Sequence, residues 1–232
     1  MSIVIPAREE ALRLPSSIRA MREEFAGEPW EFLVVVEKST DGTAELAREA
    51  AGGDARFTIV ENPVARGKGY AVKSGMLRAS GDWIFFMDAD LSVPLRFVRR
   101  FLKKSEGADV LVGSRRHRES VIPVRQSLAR VAAGRLFNFA LRVLGITRLM
   151  DTQCGFKAFG REAAREVFSR VEQDGFGFDV EALLIADRLG YRLRELPVEW
   201  SDVKGSKVSP TNGMAALRDA VLAARRVRRE NR

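Results

Sequence analysis

Short apolar runs alternate with longer amphipathic stretches through the first half of the chain. The runs predict strands, and the stretches between them have the spacing of helices. The predicted strands are Ile3–Ile5, Phe32–Val36, Phe57–Val60, Trp83–Met87 and Asp109–Val112, and the predicted helices are Pro15–Phe25, Thr43–Ala51, Lys68–Ala79 and Pro94–Lys104. Apolar strands joined by helices are typical of a parallel sheet covered on both faces. Their carboxyl ends meet at one edge, where such sheets bind ligands.

The second half follows a less regular pattern. The chain is largely apolar from Gln126 to Ile146, and after Leu136 its only polar residues there are Asn138 and Arg142. A helix of this kind is either buried or lies in a membrane interface. The pattern then predicts a loop at Met150–Phe156, helices at Arg161–Arg170 and Val180–Leu189, a strand at Leu193–Trp200 and a closing helix at Gly213–Arg229.

Nothing in the pattern divides the chain, so residues 1–232 are expected to form a single Rossmann-like α/β domain with a mostly parallel central sheet. A hydrophobic content of 46% supports one core of that size. The single cysteine, Cys154, excludes an internal disulfide and favours a reducing, cytoplasmic compartment. We expect no signal peptide after Met1 and no membrane span, because no apolar run reaches about 18–20 residues.

Basic charge is concentrated in two regions of the chain. The net charge is +8, and the segment Gly113–Arg148 contains eight arginines and one acid, Glu119. The segment Thr211–Arg232 contains six arginines and two acids. This clustering predicts an anionic partner, either a phosphate, a membrane surface or a nucleic acid, although a solvated basic face is the alternative. A nucleic-acid-binding module is disfavoured, because the basic runs lack interleaved aromatic residues.

Two acids follow the fourth predicted strand directly. Asp88 and Asp90 stand one residue apart where the strand Trp83–Met87 ends. Carboxylates at a strand exit can bind one hard cation and the diphosphate that it bridges. A divalent metal stabilises the charge that develops on a departing nucleoside diphosphate. The position after a strand sets this pair apart from an ordinary Asp-x-Asp turn.

Two glycine-containing segments follow the other strands. Gly67 and Gly69 flank Lys68 where a helix begins, and free amides beside a lysine suit an anion. The alternative interpretation of this segment is a loop in which the glycines only add flexibility. The segment Ser39–Thr43 contains an Asp-Gly turn followed by a helix-capping threonine, whatever the function.

The order of these motifs resembles the family 2 glycosyltransferases. The matching segments are Ile5-Pro6-Ala7 with Glu10, Ser39–Thr43, Gly67–Gly69, Asp88–Asp90, Gly113–Arg115, Asp151–Lys157, Phe178–Glu181 and Gly205–Lys207. Within the family the chain is most similar to dolichyl-phosphate β-glucosyltransferases and bacterial polyprenyl-phosphate glycosyltransferases. The resemblance implies a type A glycosyltransferase fold, a nucleotide-sugar donor, Mg²⁺ or Mn²⁺, and inversion at the sugar carbon.

The resemblance also implies roles for particular residues. Residues 1–112 would form a nucleotide-sugar-binding half and residues 113–232 an acceptor-binding half. Asp88 and Asp90 would hold the metal and the diphosphate, and Asp151 or Asp179 would orient the acceptor. The nucleotide pocket would be formed by Pro6, Arg8, Glu10, Glu37 and Lys68, with Lys207 closing over the diphosphate. The acceptor phosphate would be bound by Arg115, Arg125 and Arg130.

Two departures from the family pattern lie in the nucleotide pocket. Arg8 replaces an aromatic residue, and Glu37-Lys38 replaces an Asp-Gly pair. The identities of the nucleotide base and of the transferred sugar therefore stay open. UDP-glucose or a similar donor is expected.

The expected reaction is transfer to a polyprenyl or dolichyl phosphate, at the cytoplasmic face of a membrane that the protein contacts peripherally. The alternative is the same transfer to a soluble sugar or a small phosphorylated acceptor. A phosphate acceptor is already ionised at neutral pH, because its second pKa is about 6. A sugar hydroxyl would need a general base, for which Asp179 or Glu181 would be the candidates.

Overall fold

A computed structural model describes the backbone of residues 1–203 and 210–229 and the side chains of residues 1–203 and 217–227. The described strands are β1 (Ser2–Ala7), β2 (Glu31–Glu37), β3 (Phe57–Asn62), β4 (Trp83–Met87), β5 (Val110–Ser114), β6 (Phe156–Gly160) and β7 (Leu193–Pro197). The described helices are α1 (Leu14–Glu24), α2 (Thr43–Ala51), α3 (Lys68–Arg78), α4 (Arg96–Leu102), α5 (Leu128–Val143), α6 (Arg161–Arg170), α7 (Phe178–Arg188) and α8 (Pro210–Arg229).

One sheet runs through the domain in the order β3-β2-β1-β4-β6-β5-β7. All neighbouring strands are parallel except β6, which is antiparallel to both β4 and β5. The expected single α/β domain with a mostly parallel sheet is confirmed. Because β6 lies between β4 and β5, the second half of the chain is inserted into the sheet of the first.

Two hydrophobic clusters cover the two faces of the sheet. One contains residues of α3, α5, α6, α7 and α8, and the other contains residues of α1, α2 and α4. The central strands β1 and β2 are buried along nearly their whole length, as their continuous apolar runs predict. The site is therefore supported by a core on both sides of the sheet.

The strand β6 was missed by the sequence pattern. The pattern predicts a loop up to Phe156 and then a helix, but Phe156–Gly160 forms a strand. Its second residue, Lys157, is fully buried and separates the apolar residues around it. Because a lysine interrupts this five-residue run, the apolar pattern indicates neither the strand nor its burial. The remaining predicted elements are present, and their ends shift by a few residues.

The helix α5 is buried on one face only. Phe137, Asn138 and Leu141 face the core. The opposite face carries an exposed apolar stripe, which we call the α5 stripe and which consists of Leu128, Leu136, Phe139 and Val143. This exposure excludes complete burial of the segment within the domain, and its place in a membrane interface stays a prediction. Among the described residues, no helix has the length and apolar character needed to cross a bilayer.

Candidate active site

The two acids of the Asp-x-Asp segment lie at the carboxyl end of β4, as predicted. A tight turn follows the strand, in which the Leu91 amide donates to the Asp88 carbonyl at 3.2 Å. Asp90 Oδ1 accepts hydrogen bonds from the amide and hydroxyl of Ser92 at 3.0 and 2.7 Å. Burial raises the pKa of Asp90, and the negative charge of Asp88 adds to the increase. Two neighbouring carboxylates with this mutual repulsion favour binding of a cation.

Lys68 neutralises one of these carboxylates. Its Nζ lies 2.6 Å from Asp88 Oδ1. Burial alone would lower the pKa of Lys68, but the charges of Asp88, Asp179 and Asp90 outweigh it and raise the pKa. The other side of Asp88 lies against the backbone of Gly155, where a Cβ would be 2.0 Å from Oδ2. The carboxylate is thus held between a lysine of α3 and the loop before β6.

The amides around Lys68 are largely engaged within the protein. The amides of Arg66 and Gly67 donate to Glu37 at 3.3 and 2.6 Å, and the amide of Tyr70 donates to the Asp174 carbonyl at 3.2 Å. The prediction that free amides at this helix start bind an anion is therefore wrong for these three groups. The Lys68 side chain is the part of the segment that faces Asp88.

Glu37 has a structural contact that the sequence did not indicate. Its side chain is buried at the end of β2, where it accepts the two loop amides. Glu37 therefore supports the Lys68 loop. Its expected contact with the nucleotide stays a prediction.

The remaining residues of the expected nucleotide pocket lie at the end of β1. Pro6 is buried within the strand, beside Val35 of β2, and Arg8 follows the strand in an exposed position. Glu10 accepts hydrogen bonds from Nε and Nη2 of Arg13 at 2.7 and 2.8 Å. The positive charge of Arg13 also acts on Asp90. The β1 and β4 ends therefore border the same edge of the sheet.

Arg115 and Asp151 form an ion pair on the acceptor side, in which Asp151 is buried and Arg115 is partly buried. Arg115 Nε and Nη2 donate to the two oxygens of Asp151 at 2.7 and 2.9 Å, and the Arg115 amide donates to it at 3.0 Å. Burial would raise the pKa of Asp151, but Arg115 outweighs it and holds the pKa at about 2. Asp151 is inaccessible to solvent. It is therefore an ionised partner of Arg115, and its expected role in orienting the acceptor stays a prediction.

Asp179 has a similar arrangement with a lysine that the sequence analysis overlooked. Lys157 Nζ lies 2.5 Å from Asp179 Oδ1 and donates to the Cys154 carbonyl at 2.7 Å. Both side chains are buried. Asp179 lies in the first turn of α7 but does not cap it with its side chain. The signal for Lys157 was its place in the motif Asp151–Lys157, but a lysine usually indicates exposure.

The other predicted phosphate ligands have different surroundings from Arg115. Arg125 is exposed in the loop before α5. Arg130, on α5, lies 3.9 Å from Asp202. Lys207 falls outside the described residues.

Arg116 is a further basic residue on the acceptor side. It lies against α5, where a Cβ at Gly134 would be 3.4 Å from its Nη2. Burial lowers the pKa of Arg116, and although Asp151 opposes the decrease, nearby cations reinforce it. These cations are Arg115, Arg135 and Arg142. The group is therefore a concentration of positive charge beside the α5 stripe, and such a group favours phosphate. The sequence signal for it was the density of arginines from Gly113 to Arg148.

The carboxylate pair fits a divalent cation that is shared with a diphosphate. The described residues contain no group of three or more metal-ligating side chains. Mg²⁺ commonly uses one or two carboxylates and takes its other ligands from phosphates and water. Asp88 and Asp90 have carboxylate oxygens of that kind.

Comparison with protein families gives a match over most of the chain. The model described as Glycosyl transferase family 2 matches residues 2–168. A dolichyl-phosphate beta-glucosyltransferase of Drosophila melanogaster is 32% identical over 229 residues, which cover 90% of this chain and 69% of the relative. The human dolichyl-phosphate beta-glucosyltransferase is 31% identical over 229 residues, with 90% and 70% of the two chains covered.

Solved structures share the fold at lower identity. Glucosyl-3-phosphoglycerate synthase from Mycobacterium tuberculosis, in complex with Mn²⁺, UDP-glucose and phosphoglyceric acid, has a TM-score of 0.70 and 20% identity. The match covers 97% of this chain and 78% of that one. The same enzyme with Mg²⁺ and UDP has a TM-score of 0.68 and 21% identity. These likenesses agree with the predicted type A glycosyltransferase fold.

The Arg115–Asp151 pair generates a pH-dependent prediction. Asp151→Asn should lower the free energy of unfolding at pH 7 by on the order of 3 kcal/mol, because it leaves the partly buried Arg115 without its counter-charge. The folded pKa of Asp151 is about 2, below the ordinary 3.8, so its contribution is present above pH 3.8 and is lost as the pH falls toward 2. Urea unfolding of both proteins should show a difference that shrinks below pH 3.8.

The control is Asp187→Asn, which removes an exposed acid from α7. It should leave stability nearly unchanged at every pH, since isolated surface charges contribute little. A constant difference between wild type and Asp151→Asn across the acid range would contradict the assignment.

Proposed function

The chain belongs to glycosyl transferase family 2, and on that premise we propose that it transfers a sugar from a nucleoside diphosphate to a polyprenyl or dolichyl phosphate. An acceptor oxygen attacks the anomeric carbon, and the bond from that carbon to the diphosphate breaks with its electron pair leaving on the diphosphate. Attack from the opposite face inverts the sugar carbon. We take UDP-glucose as the donor, by analogy with the glucosyltransferases named above and the UDP-bound structures.

The donor side of the proposal depends on the β4 edge. Asp88 and Asp90 would hold Mg²⁺ or Mn²⁺ together with the diphosphate, and the metal would stabilise charge on the leaving group. Lys68 lies beside Asp88 and adds a positive charge at the same place. Pro6, Arg8 and Glu10, at the adjacent end of β1, would contact the nucleoside.

One observation carries the choice of acceptor. Asp151 and Asp179, the acids expected to orient an acceptor, are buried in ion pairs with Arg115 and Lys157. Asp151 is a poor general base, because Arg115 holds its pKa at about 2 and donates to both of its oxygens. Asp179 is buried with its Oδ1 bound to Lys157, which leaves it little access to an acceptor. A phosphate acceptor needs no base, since it is ionised at neutral pH. Arg116 and its neighbouring arginines would receive it.

The exposed face of α5 supports a membrane-borne acceptor. The α5 stripe runs beside Arg135 and Arg142, which are also exposed. An apolar stripe flanked by arginines is the pattern of a helix that lies in the surface of an anionic membrane. We place this contact at the cytoplasmic face, because the one thiol, Cys154, is free.

The decisive test is a transfer assay with separated phases. Wild-type protein is incubated with Mn²⁺, polyprenyl phosphate and a panel of nucleotide sugars labelled in the sugar. Label should enter the organic phase, with UDP-glucose as the best donor. Label that appears only in water-soluble products, after addition of small phosphorylated acceptors, would replace the proposal with the soluble-acceptor alternative.

The metal role predicts the behaviour of Asp90→Asn. This variant should lose transfer by a factor of about 10² or more, because a ligand to the developing diphosphate charge is removed. The fold should be retained, since Asp90 lies at a strand exit, and thermal unfolding checks this. EDTA should abolish wild-type transfer, and added Mn²⁺ should restore it. Full activity in EDTA would contradict the metal role.

The α5 stripe predicts peripheral membrane binding. Wild-type protein should float with phosphatidylglycerol vesicles at low salt and less well as salt screens the arginines. Leu136→Ser with Phe139→Ser should weaken flotation, because both side chains would enter the interface. Leu12→Ser is the matched control, as Leu12 is 98% exposed and lies far along the chain from α5. Equal flotation of both variants would exclude α5 as the contact.

A further inference from the structure

A buried carboxylate connects α8 with the loop that carries Lys68. Glu181 lies in the first turn of α7 and has no solvent exposure. It accepts hydrogen bonds from the amides of Glu172 and Gln173 at 2.9 and 2.8 Å, and from Arg226 Nη2 at 2.5 Å. A charge removed from water is costly unless it is fully bonded. Glu181 therefore fixes the 172–173 backbone and α8 relative to each other.

Arg226 binds the same segment through further groups. Its Nη2 donates to the Arg170 carbonyl at 3.1 Å, and its Nη1 forms an ion pair with Glu172. One side chain of α8 therefore bridges several acceptors of the segment 170–181. The neighbouring Arg225 is exposed, so the two adjacent arginines occupy different environments.

The backbone of residues 173–174, next to Glu172, packs directly against the Lys68 loop. A Cβ at Gly69 would be 2.2 Å from the Gln173 carbonyl oxygen, and one at Gly67 would be 2.4 Å from that of Asp174. Gly67 also has a φ of +136°, which favours glycine. The Tyr70 amide donates to the Asp174 carbonyl, as noted above. The loop is thus wedged between Glu37 and the 173–174 backbone.

We propose that Glu181 and Arg226 are positioning residues for the donor diphosphate: through the 172–174 backbone they hold Lys68 against Asp88. This inference rests on the proposed function, because it assumes that the Asp88 edge binds a nucleoside diphosphate. Without the Arg226 guanidinium, Glu181 loses its counter-charge and α8 loses its bonds to the segment. The 172–174 backbone, against which Gly67 and Gly69 pack, then becomes more mobile, and Lys68 loses its fixed position.

The first test measures, without any nucleotide, whether Arg226 stabilises the loop that carries Lys68. Arg226→Gln removes the charge and keeps much of the side-chain length, and Arg225→Gln makes the same change at the exposed neighbour. Hydrogen–deuterium exchange of the full chain should be faster at residues 66–70 and 172–173 in Arg226→Gln, and unchanged there in Arg225→Gln. Arg226→Lys should lie between them, because one ammonium cannot reproduce the planar fork. Wild-type exchange at residues 66–70 in Arg226→Gln would overturn the proposal.

The second test measures the effect on a donor-type ligand. UDP is titrated calorimetrically in Mn²⁺, and Arg226→Gln should bind it about tenfold more weakly, as expected for a residue that supports a ligand-binding group. Arg225→Gln should match wild type. A lowered melting temperature of Arg226→Gln with wild-type UDP affinity would mean that Arg226 serves stability alone, which contradicts the proposal. If wild-type protein binds no nucleoside diphosphate, the proposed function fails, and the exchange comparison still decides whether Arg226 fixes the loop.

Discussion

The close approach of Asp88 to Gly155 determines how the two halves of the chain form one site. The Asp88 amide donates to the Gly155 carbonyl at 3.1 Å, and its carboxylate occupies the space that a side chain at position 155 would need. The approach is possible because β6 runs antiparallel beside β4, so that the residue before β6 reaches the carboxyl end of β4. Asp88 is thereby brought between the loop that contains Asp151 and the lysine of α3.

Charge pairing then determines what chemistry the edge can perform. Several acids of the site each have a basic partner, namely Asp88 with Lys68, Asp151 with Arg115, Asp179 with Lys157 and Glu181 with Arg226. Pairs of this kind hold loops in position, and Arg115 keeps the pKa of Asp151 at about 2, so that this acid is no general base at neutral pH. Of these, the Asp88–Lys68 pair is the most open to solvent, and it stands beside Asp90 at the strand exit. The site is therefore suited to positioning charged substrates and to stabilising a leaving group.

The sequence predicted what depends on local pattern, and it failed where long-range contacts decide. Continuous apolar runs identified the parallel strands, and the position of Asp88 after such a run located the site. β6 was missed because Lys157 interrupts its apolar pattern, and its burial depends on Asp179, which lies 22 positions later. Three of the amides expected to be free around Gly67 are engaged for a similar reason, since Glu37 and Asp174 approach that loop from other parts of the chain. The role of Lys207 stays a prediction.

Substitution at Gly155 tests most directly whether the two halves must meet at Asp88. Gly155→Ala places a Cβ 2.0 Å from Asp88 Oδ2, whereas Gly160→Ala, at the other end of β6, meets only an ordinary contact of 3.6 Å with the Asp109 carbonyl. The measurement is the dissociation constant of UDP in Mn²⁺, on variants whose folding is checked by thermal unfolding. We predict that Gly155→Ala weakens the binding of UDP by at least about tenfold, because it displaces a group that holds the ligand. Gly160→Ala should bind UDP like wild type. Equal, wild-type affinity in both variants would contradict the account.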